Sequence, residues 1–326
     1  MRLVITGVGG FIGERMAKRS REKGWEVVGV DISEEAVARL QGKGMEAHRG
    51  DINDREKLLE VFEGADLIFH TAAIVDEGKN RELSCRVNVE GTRSVCEVAR
   101  EAGVQRLVHL SSVMVYGFEY PEGVEEDHPF PEYDNAYNET KARSEEIAMS
   151  YHQPGELEVI VLRPGDVYGI GSEPWVQRPL ATMKAGIFNL PAGGRGIINH
   201  VHVDNLIDAV FLAVEKDCTG EIFNITDGVA TSCIEYFRFL AKMVGKRSVP
   251  TLPTGLLNAM LTLSGPIFRL QGKEPPATKE SIRFLMRFSK VSSEKARREL
   301  GYEPRILLEE GMAAIEAELR EAGALD

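Results

Sequence analysis

Positive charge is the first thing in short supply. Against 51 Asp and Glu stand 39 Lys and Arg, a formal charge of −12 over 326 residues. Nucleic acid demands clustered cations, so it is excluded as a main partner, and an anionic membrane surface is disfavoured. Cysteine is also scarce. Cys85, Cys96, Cys218 and Cys233 form no C-x-x-C pair, which suits a reducing compartment better than a disulfide framework. The seven histidines include His200 and His202 but no H-E-x-x-H helix, so no metal site is expected. Long apolar runs are missing too. The opening "MRLVIT" leaves no room for a signal peptide. The longest apolar stretch, Thr254 to Leu270, is interrupted by Gly265 and Pro266, whereas a membrane span needs about 18 or more uninterrupted apolar residues. The expectation is a cytoplasmic protein with no membrane span, in which this stretch either lines a pocket or packs a lobe. Internal repeats and low-complexity segments are absent as well.

What the chain has is alternation. Apolar runs such as "RLVIT", "WEVVGV", "MEAHR", "ADLIFHTA", "QRLVHLSS" and "LEVIVLR" are separated by amphipathic segments such as "FIGERMAKRSREKG" and "DREKLLEVFEG". Near-continuous apolar strands between helices predict an α/β fold, a Rossmann-type doubly wound parallel sheet with ligands at the carboxyl ends of its strands. After Val167 the pattern loosens into turns, two strand–helix pieces ("EIFNITDG", "TSCIEYFRFLAKMVG") and a final charged helix, "SSEKARRELG". Residues 1–167, with returning segments near 200–228, are expected to form the dinucleotide domain. Residues 168–326 are expected to form mainly a smaller substrate-binding lobe.

Two features point to a dinucleotide. "TGVGGFIG" (Thr6 to Gly13) joins the first strand to the first helix, with Gly7, Gly10 and Gly13 at the turn. Glycine admits a tight turn and close approach of backbone to a pyrophosphate, and the helix N-terminus offers free N–H groups to it. Asp31 closes the second strand 18 residues after Gly13. A carboxylate there accepts the ribose hydroxyls and repels a 2′-phosphate, and no Arg stands beside it, so NAD is favoured over NADP. Asp51, after the third strand, either reaches the adenine or, like Asn53, caps a helix.

A further pair stands out in "YNETK". Tyr137 and Lys141 lie one helical turn apart and share a face. That spacing alone also fits a solvated helix surface.

The ordered motifs settle which reading to prefer. T-G-x-x-G-x-x-G occurs at Thr6 to Gly13, H-x-A-A at His70 to Ala73, N-x-x-G-T at Asn88 to Thr92, S-x-x-x-Y-G at Ser112 to Gly117, Y-x-x-x-K at Tyr137 to Lys141, and R-P-x-x-V-Y-G at Arg163 to Gly169. Over nearly its whole length the chain resembles an extended short-chain dehydrogenase/reductase of the epimerase/dehydratase superfamily. The resemblance implies that Tyr137 exchanges a proton with the substrate oxygen while Lys141 and the nicotinamide charge depress its pKa, and that Lys141 bonds the nicotinamide ribose. Ser112 is the expected donor to the substrate oxygen, with the adjoining Ser111 as runner-up. Asn88 would orient a water or backbone group near Lys141, or simply pack its helix. The resemblance also places Phe11, Ile12, Ile32, Ile52, Thr71, Ala72 and Ala73 along the coenzyme, and Pro164 and Val167 near its nicotinamide. Tyr116 is left between core and substrate contact. A homodimer through helices near 81–101 and 134–152 is implied as well.

Two departures bear on the small-molecule substrate. Sugar-nucleotide enzymes of this type usually read R-x-x-N-V-Y-G, and this chain has Asp166 at the Asn. They also carry an Arg before "HVD" that clamps a diphosphate; here Ile198 occupies that place, with Arg195 three residues away and able to compensate. "PWVQRPLATMKAG" and "KVSSEKARRELGYEP" look like the 3β-hydroxysteroid dehydrogenase-like and dihydroflavonol reductase-like branch. The expectation is therefore an NAD(H)-dependent oxidoreductase acting on an apolar or moderately polar secondary alcohol or ketone, with residues 254–270 and "SIRFLMRFS" (281–289) offering an apolar pocket. The alternatives are a sugar-nucleotide epimerase or dehydratase, and a non-catalytic dinucleotide sensor.

Overall fold

A computed structural model of the chain describes residues 1–75, 78–270 and 277–325, without the side chains of 265–267, 269 and 270. Its first half alternates β1 (Arg2–Thr6), α1 (Phe11–Glu22), β2 (Glu26–Asp31), α2 (Glu34–Gly42), β3 (Glu46–Arg49), α3 (Arg55–Phe62) and β4 (Leu67–His70). Then come α4 (Arg81–Ser84), a π-helical turn at Cys85–Glu90, α5 (Gly91–Glu101), β5 (Arg106–Leu110), α6 (Ala136–Ser150), β6 (Glu158–Pro164) and β7 (Asp166–Tyr168). The rest holds α7 (Arg178–Lys184), β8 (Ile197–Ile198), β9 (His200–His202), α8 (Val203–Glu215), β10 (Ile222–Ile225), β11 (Thr231–Ser232), α9 (Cys233–Met243), α10 (Thr254–Leu270), α11 (Lys279–Phe284) and α12 (Leu308–Glu321).

Seven strands form one sheet in the order β10-β6-β5-β4-β1-β2-β3, with every pair parallel. Alternation of side chains explains how it is held. Leu3 and Ile5 enter one core with residues of α1, α2 and α8, while Val4 enters the opposite core with residues of α3, α5 and α6. A strand buried on both faces reads as an unbroken apolar run, which is how these strands were visible in the sequence. From β1 the chain winds first to β2 and β3, then returns to β4 on the other side. The crevice at this reversal opens at the carboxyl ends of the strands, where such sheets take their ligands. A third core, under α7, α9 and α12, contains Tyr168, Tyr236, Phe237, Met312 and Ile315.

Three expectations need correction. "SSEKARRELG" is not the last helix: it yields only a short π turn at Ala296–Leu300, stopped by Gly301 in the left-handed region, and α12 follows it. Gly265 and Pro266 do not interrupt the apolar stretch, whose backbone is helical from Thr254 to Leu270. The cap of α3 is neither Asp51 nor Asn53. Asp54 fills it, accepting from Lys57 N, and Asp51 instead closes a turn by accepting from Asn53 N at 2.9 Å. No helix among the described residues is long and apolar enough to cross a membrane.

Candidate active site

The loop after β1 is shaped by missing side chains. Gly7 has φ +72°, and a Cβ there would lie 2.7 Å from Ala72 Cα. At Gly13 a Cβ would meet Gly7 O at 2.3 Å, so the first turn of α1 could not close on the loop. The helix starts at Phe11 with Gly10 as its cap, and no side chain occupies the free N–H groups of that end. An anionic ligand fits this cradle.

Beside it, Asp31 accepts from Gly9 N at 2.8 Å through one oxygen and from Ser33 N at 2.9 Å through the other. Gly9 was not singled out in the sequence, yet a Cβ there would strike Ala36 Cβ at 2.5 Å. Arg39, one helix further on, reaches Gly9 O at 3.4 Å and pairs with Glu14 at 2.7 Å. It lines the same cleft.

The catalytic candidates converge on α6. Asn135 caps that helix by accepting from Tyr137 N at 3.0 Å and Asn138 N at 3.2 Å, which fixes the turn carrying the tyrosine. Tyr137 and Lys141 are 9% and 4% exposed, so the pair is not a solvated face. Ser112 lines the cleft with Tyr137, close enough to draw the phenol's pKa down, and its hydroxyl accepts from Met114 N at 3.1 Å. Ser111 points elsewhere, donating to Glu145 Oε2 at 2.6 Å. Of the two adjoining hydroxyls, the structure puts Ser112 at the tyrosine, because neighbours on an extended segment face opposite ways.

Charge at this place is governed by burial. Lys141 donates to Leu110 O at 2.6 Å, and burial pulls its ammonium down to about 8, against a smaller opposing pull from Glu145. The Tyr137 phenol is pushed up by burial, drawn down by the nearby Ser112 hydroxyl, and pushed up again by the Asp166 carboxylate. The protein's own groups therefore favour the neutral phenol, while the expected depression belongs to the state with the positive nicotinamide bound.

Asn88 sits in the π-helical turn, 1% exposed, and does not line the cleft. Its side chain accepts from Ile74 N at 2.7 Å and donates to Ile74 O at 3.2 Å and Thr140 Oγ1 at 3.0 Å. It orients the Ile74 backbone and ties the loop after β4 to the helix turn before Lys141. Tyr116 belongs to the core. It is 1% exposed and bonded to Asn224 and Arg163. His200 and His202 are also structural: the first is held by Asp227 and Thr231, and the second caps α8.

Beneath the site run polar contacts that sequence reasoning missed. Arg163, at the end of β6, clasps Glu145 of α6, both nearly fully buried. Asp166 receives Arg287 Nη2 on both oxygens, at 2.8 and 2.7 Å, and Asn199 N at 2.9 Å. Burial lifts the Asp166 carboxyl and the guanidinium opposes it. A sequence motif hinted at Arg163 and Asp166 but not at their partners.

The phosphate loop, Asp31, Ser112, Tyr137, Lys141 and Asp166 border one cleft of about 1340 Å³. It gathers every residue the sequence assigned to the coenzyme or the proton transfer except Asn88. Beyond Tyr137 it continues past Trp175, Phe188, Leu257, Met260, Leu261 and Phe284. Its cations on that side include Arg178 but not Arg195, which is exposed and turned back onto Ala192 O. Arg195 therefore does not compensate for Ile198.

A family model for the NAD dependent epimerase/dehydratase family matches residues 3–226. The chain belongs to that family. It is an NAD-dependent enzyme of the extended short-chain dehydrogenase/reductase type, as the resemblance implied. It is 30% identical to a 4-hydroxy-2-methyl-3-oxo-4-farnesyl-3,4-dihydroquinoline-1-oxide ketoreductase of Stigmatella aurantiaca, over 99% of this chain and 97% of that one. It is 29% identical to a 2-alkyl-3-oxoalkanoate reductase of Stenotrophomonas maltophilia, over 97% and 99% of the two chains. Among solved structures, MoeE5 in complex with UDP-glucose and NAD superposes with a TM-score of 0.79 at 25% identity, covering 99% of both chains. UDP-glucose 4-epimerase of Thermotoga maritima gives 0.80 at 23% identity, again over 99% of both, a likeness of fold.

Proposed function

We propose that the protein interconverts a ketone and a secondary alcohol on an apolar substrate, with Tyr137 as proton donor and acceptor, Ser112 as hydrogen-bond donor to the substrate oxygen, and Lys141 as the charge behind the tyrosine. Bound NAD(H) supplies or takes up the hydride. The observation that carries this reading is that buried Tyr137 and Lys141 line, together with Ser112, the same cleft as Trp175, Phe188, Leu257, Met260, Leu261 and Phe284.

The residues divide the work. Gly7, Gly10 and Gly13 leave room for a pyrophosphate at α1, and Asp31 faces the adenosine ribose. Tyr137 begins ketone reduction as a neutral phenol, the state that burial favours, and gives its proton to the carbonyl oxygen as the carbon receives hydride. Lys141 stabilises the phenolate that is left. Asn88 and Asn135 keep the helix turn in place. In the oxidative direction the same proton returns to Tyr137. The relatives named as a ketoreductase and an oxoalkanoate reductase support this chemistry.

A sugar nucleotide is the second reading, favoured by the likeness to MoeE5 and by Arg178 on the cleft wall. Purified protein tested with NADH against steroid, aryl and β-keto substrates, with nucleotide sugars alongside, separates the two. We expect NADH consumption matched by alcohol formed from an apolar ketone. Retained NAD and turnover of a nucleotide sugar without net change in the coenzyme would overturn the proposal.

A further inference from the structure

Arg287 is fully buried and does not line the cleft, yet three parts of the cleft wall are tied to its side chain. Its Nη2 donates to both oxygens of Asp166, after β6, at 2.8 and 2.7 Å. Its Nε donates to Phe284 O, at the end of α11, at 2.9 Å. Its Nη1 meets Met114 Sδ, in the turn after β5, at 3.3 Å. Asp166, Phe284 and Met114 all line the cleft. The arginine is held in turn from the other side. Ile197 N donates to Arg287 O at 2.6 Å, and a Cβ on Gly196 would lie 2.0 Å from Leu285 O. The tie to Met114 reaches the chemistry. Met114 N donates to Ser112 Oγ at 3.1 Å, which uses the serine oxygen as acceptor and leaves its O–H to donate to a substrate.

We propose that Arg287 is a positioning residue for the reaction: its guanidinium fixes Met114, and through it the Ser112 hydroxyl, relative to the walls at Asp166 and Phe284. This rests on Ser112 acting as donor in the proposed ketone reduction and extends that reading to a residue outside the cleft. A buried ion pair is weak grounds for stability, because apolar side chains of similar volume often hold a fold as well or better. What they lack is direction. A guanidinium presents its donors in a rigid planar fork, so its contacts on three sides constrain one another. The pairing also accounts for the departure at Asp166. The amide of the sugar-nucleotide motif would leave the buried guanidinium without a counterion, and a carboxylate supplies one. Misplacement by about 1 Å near the reacting atoms can cost about a hundredfold in rate, so a modest loosening of the fork would be felt in turnover.

The test compares the full-length parent with two variants. One carries both Asp166→Asn and Arg287→Met and strands no charge. The other, Arg287→Lys, keeps the charge on Asp166 but has one nitrogen for three partners. Stopped-flow follows NADH oxidation in a single turnover with methyl 3-oxododecanoate, and calorimetry gives the melting temperature and the NADH affinity. We expect hydride transfer to slow by about tenfold or more in the double variant and by about threefold or more in Arg287→Lys, with NADH affinity within about twofold of the parent in both. A pair serving only the fold would move the melting temperature and leave the hydride-transfer rate alone. A parent-like rate in the double variant would therefore overturn the role of Arg287, and if that variant does not fold, a parent-like rate in Arg287→Lys does so. If the parent leaves the ester untouched and turns over UDP-glucose instead, the apolar-ketone reading falls, and the same comparison on UDP-glucose decides the role of Arg287.

Discussion

Replacing Glu145 by Gln is the perturbation whose size the structure defines best. The carboxylate is 2% exposed and receives Arg163 Nε at 2.9 Å, Arg163 Nη2 at 2.5 Å and Ser111 Oγ at 2.6 Å. Gln keeps the shape and removes the charge, leaving a guanidinium that is 3% exposed without its counterion. Removing one partner of a buried pair destabilises by about 3–5 kcal/mol. At roughly 2 °C per kcal/mol for a chain of this length, the melting temperature should fall by about 6–10 °C. Lys23→Met is the control: its pair with Glu215 is between side chains 39% and 52% exposed, so the loss should stay below about 1 kcal/mol. Exchanging both buried partners, Glu145→Gln with Arg163→Met, should recover at least half of the lost melting temperature, because no charge is then left stranded. Scanning calorimetry of the four proteins reads all of this. A fall of less than about 3 °C for Glu145→Gln would refute the reasoning, since it would mean that the pair is far more hydrated than its burial implies.

Two further outcomes follow from the same structure. Asp31→Ala removes two charge-assisted acceptors from the ribose end, so NADH should bind about 10- to 100-fold more weakly while NADPH changes less. Fluorescence titration of both coenzymes checks this, and equal affinities in the parent would contradict the role of Asp31. Lys141, with its ammonium pulled down to about 8, sets the pH dependence. If its charge is required, kcat/KM for ketone reduction falls as pH rises through about 8, and a flat profile to pH 9.5 would exclude that requirement. Stability runs the other way. Between about 8 and the ordinary lysine value of 10.5 the unfolded chain binds more protons, so this group's contribution to stability rises with pH. The difference in denaturation free energy between the parent and Lys141→Met measures it.

Much of this was legible in the sequence, for local reasons. The glycine turn, Asp31 at a strand end and the Tyr–Lys spacing each lie within one element or its boundary, where period and backbone freedom dictate residue type. Sheet strands buried on both faces announced themselves as apolar runs. The missed features all depend on which segments meet. Arg287 lies 121 residues from Asp166, and nothing near either marks the pairing. Arg39 reaches the phosphate loop only because α2 packs back beside it. Arg195 looked able to replace the missing clamp because distance along the chain stood in for direction, and its side chain turns to Ala192 O instead. The last helix was misplaced because the charged run at 292–301 has helical spacing but ends at Gly301 after a single turn. What burial does to the Tyr137 phenol was likewise not visible in the sequence, because it depends on the segments packed around it.

The proposed chemistry stands or falls on the Tyr137 hydroxyl. Single-turnover stopped-flow following NADH oxidation in Tyr137→Phe, with a ketone that the parent reduces, measures its contribution without interference from product release. We predict NADH affinity within about threefold of the parent and a hydride-transfer rate lower by about a thousandfold or more. Parent-like rates from the phenylalanine variant would show that the proton comes from elsewhere.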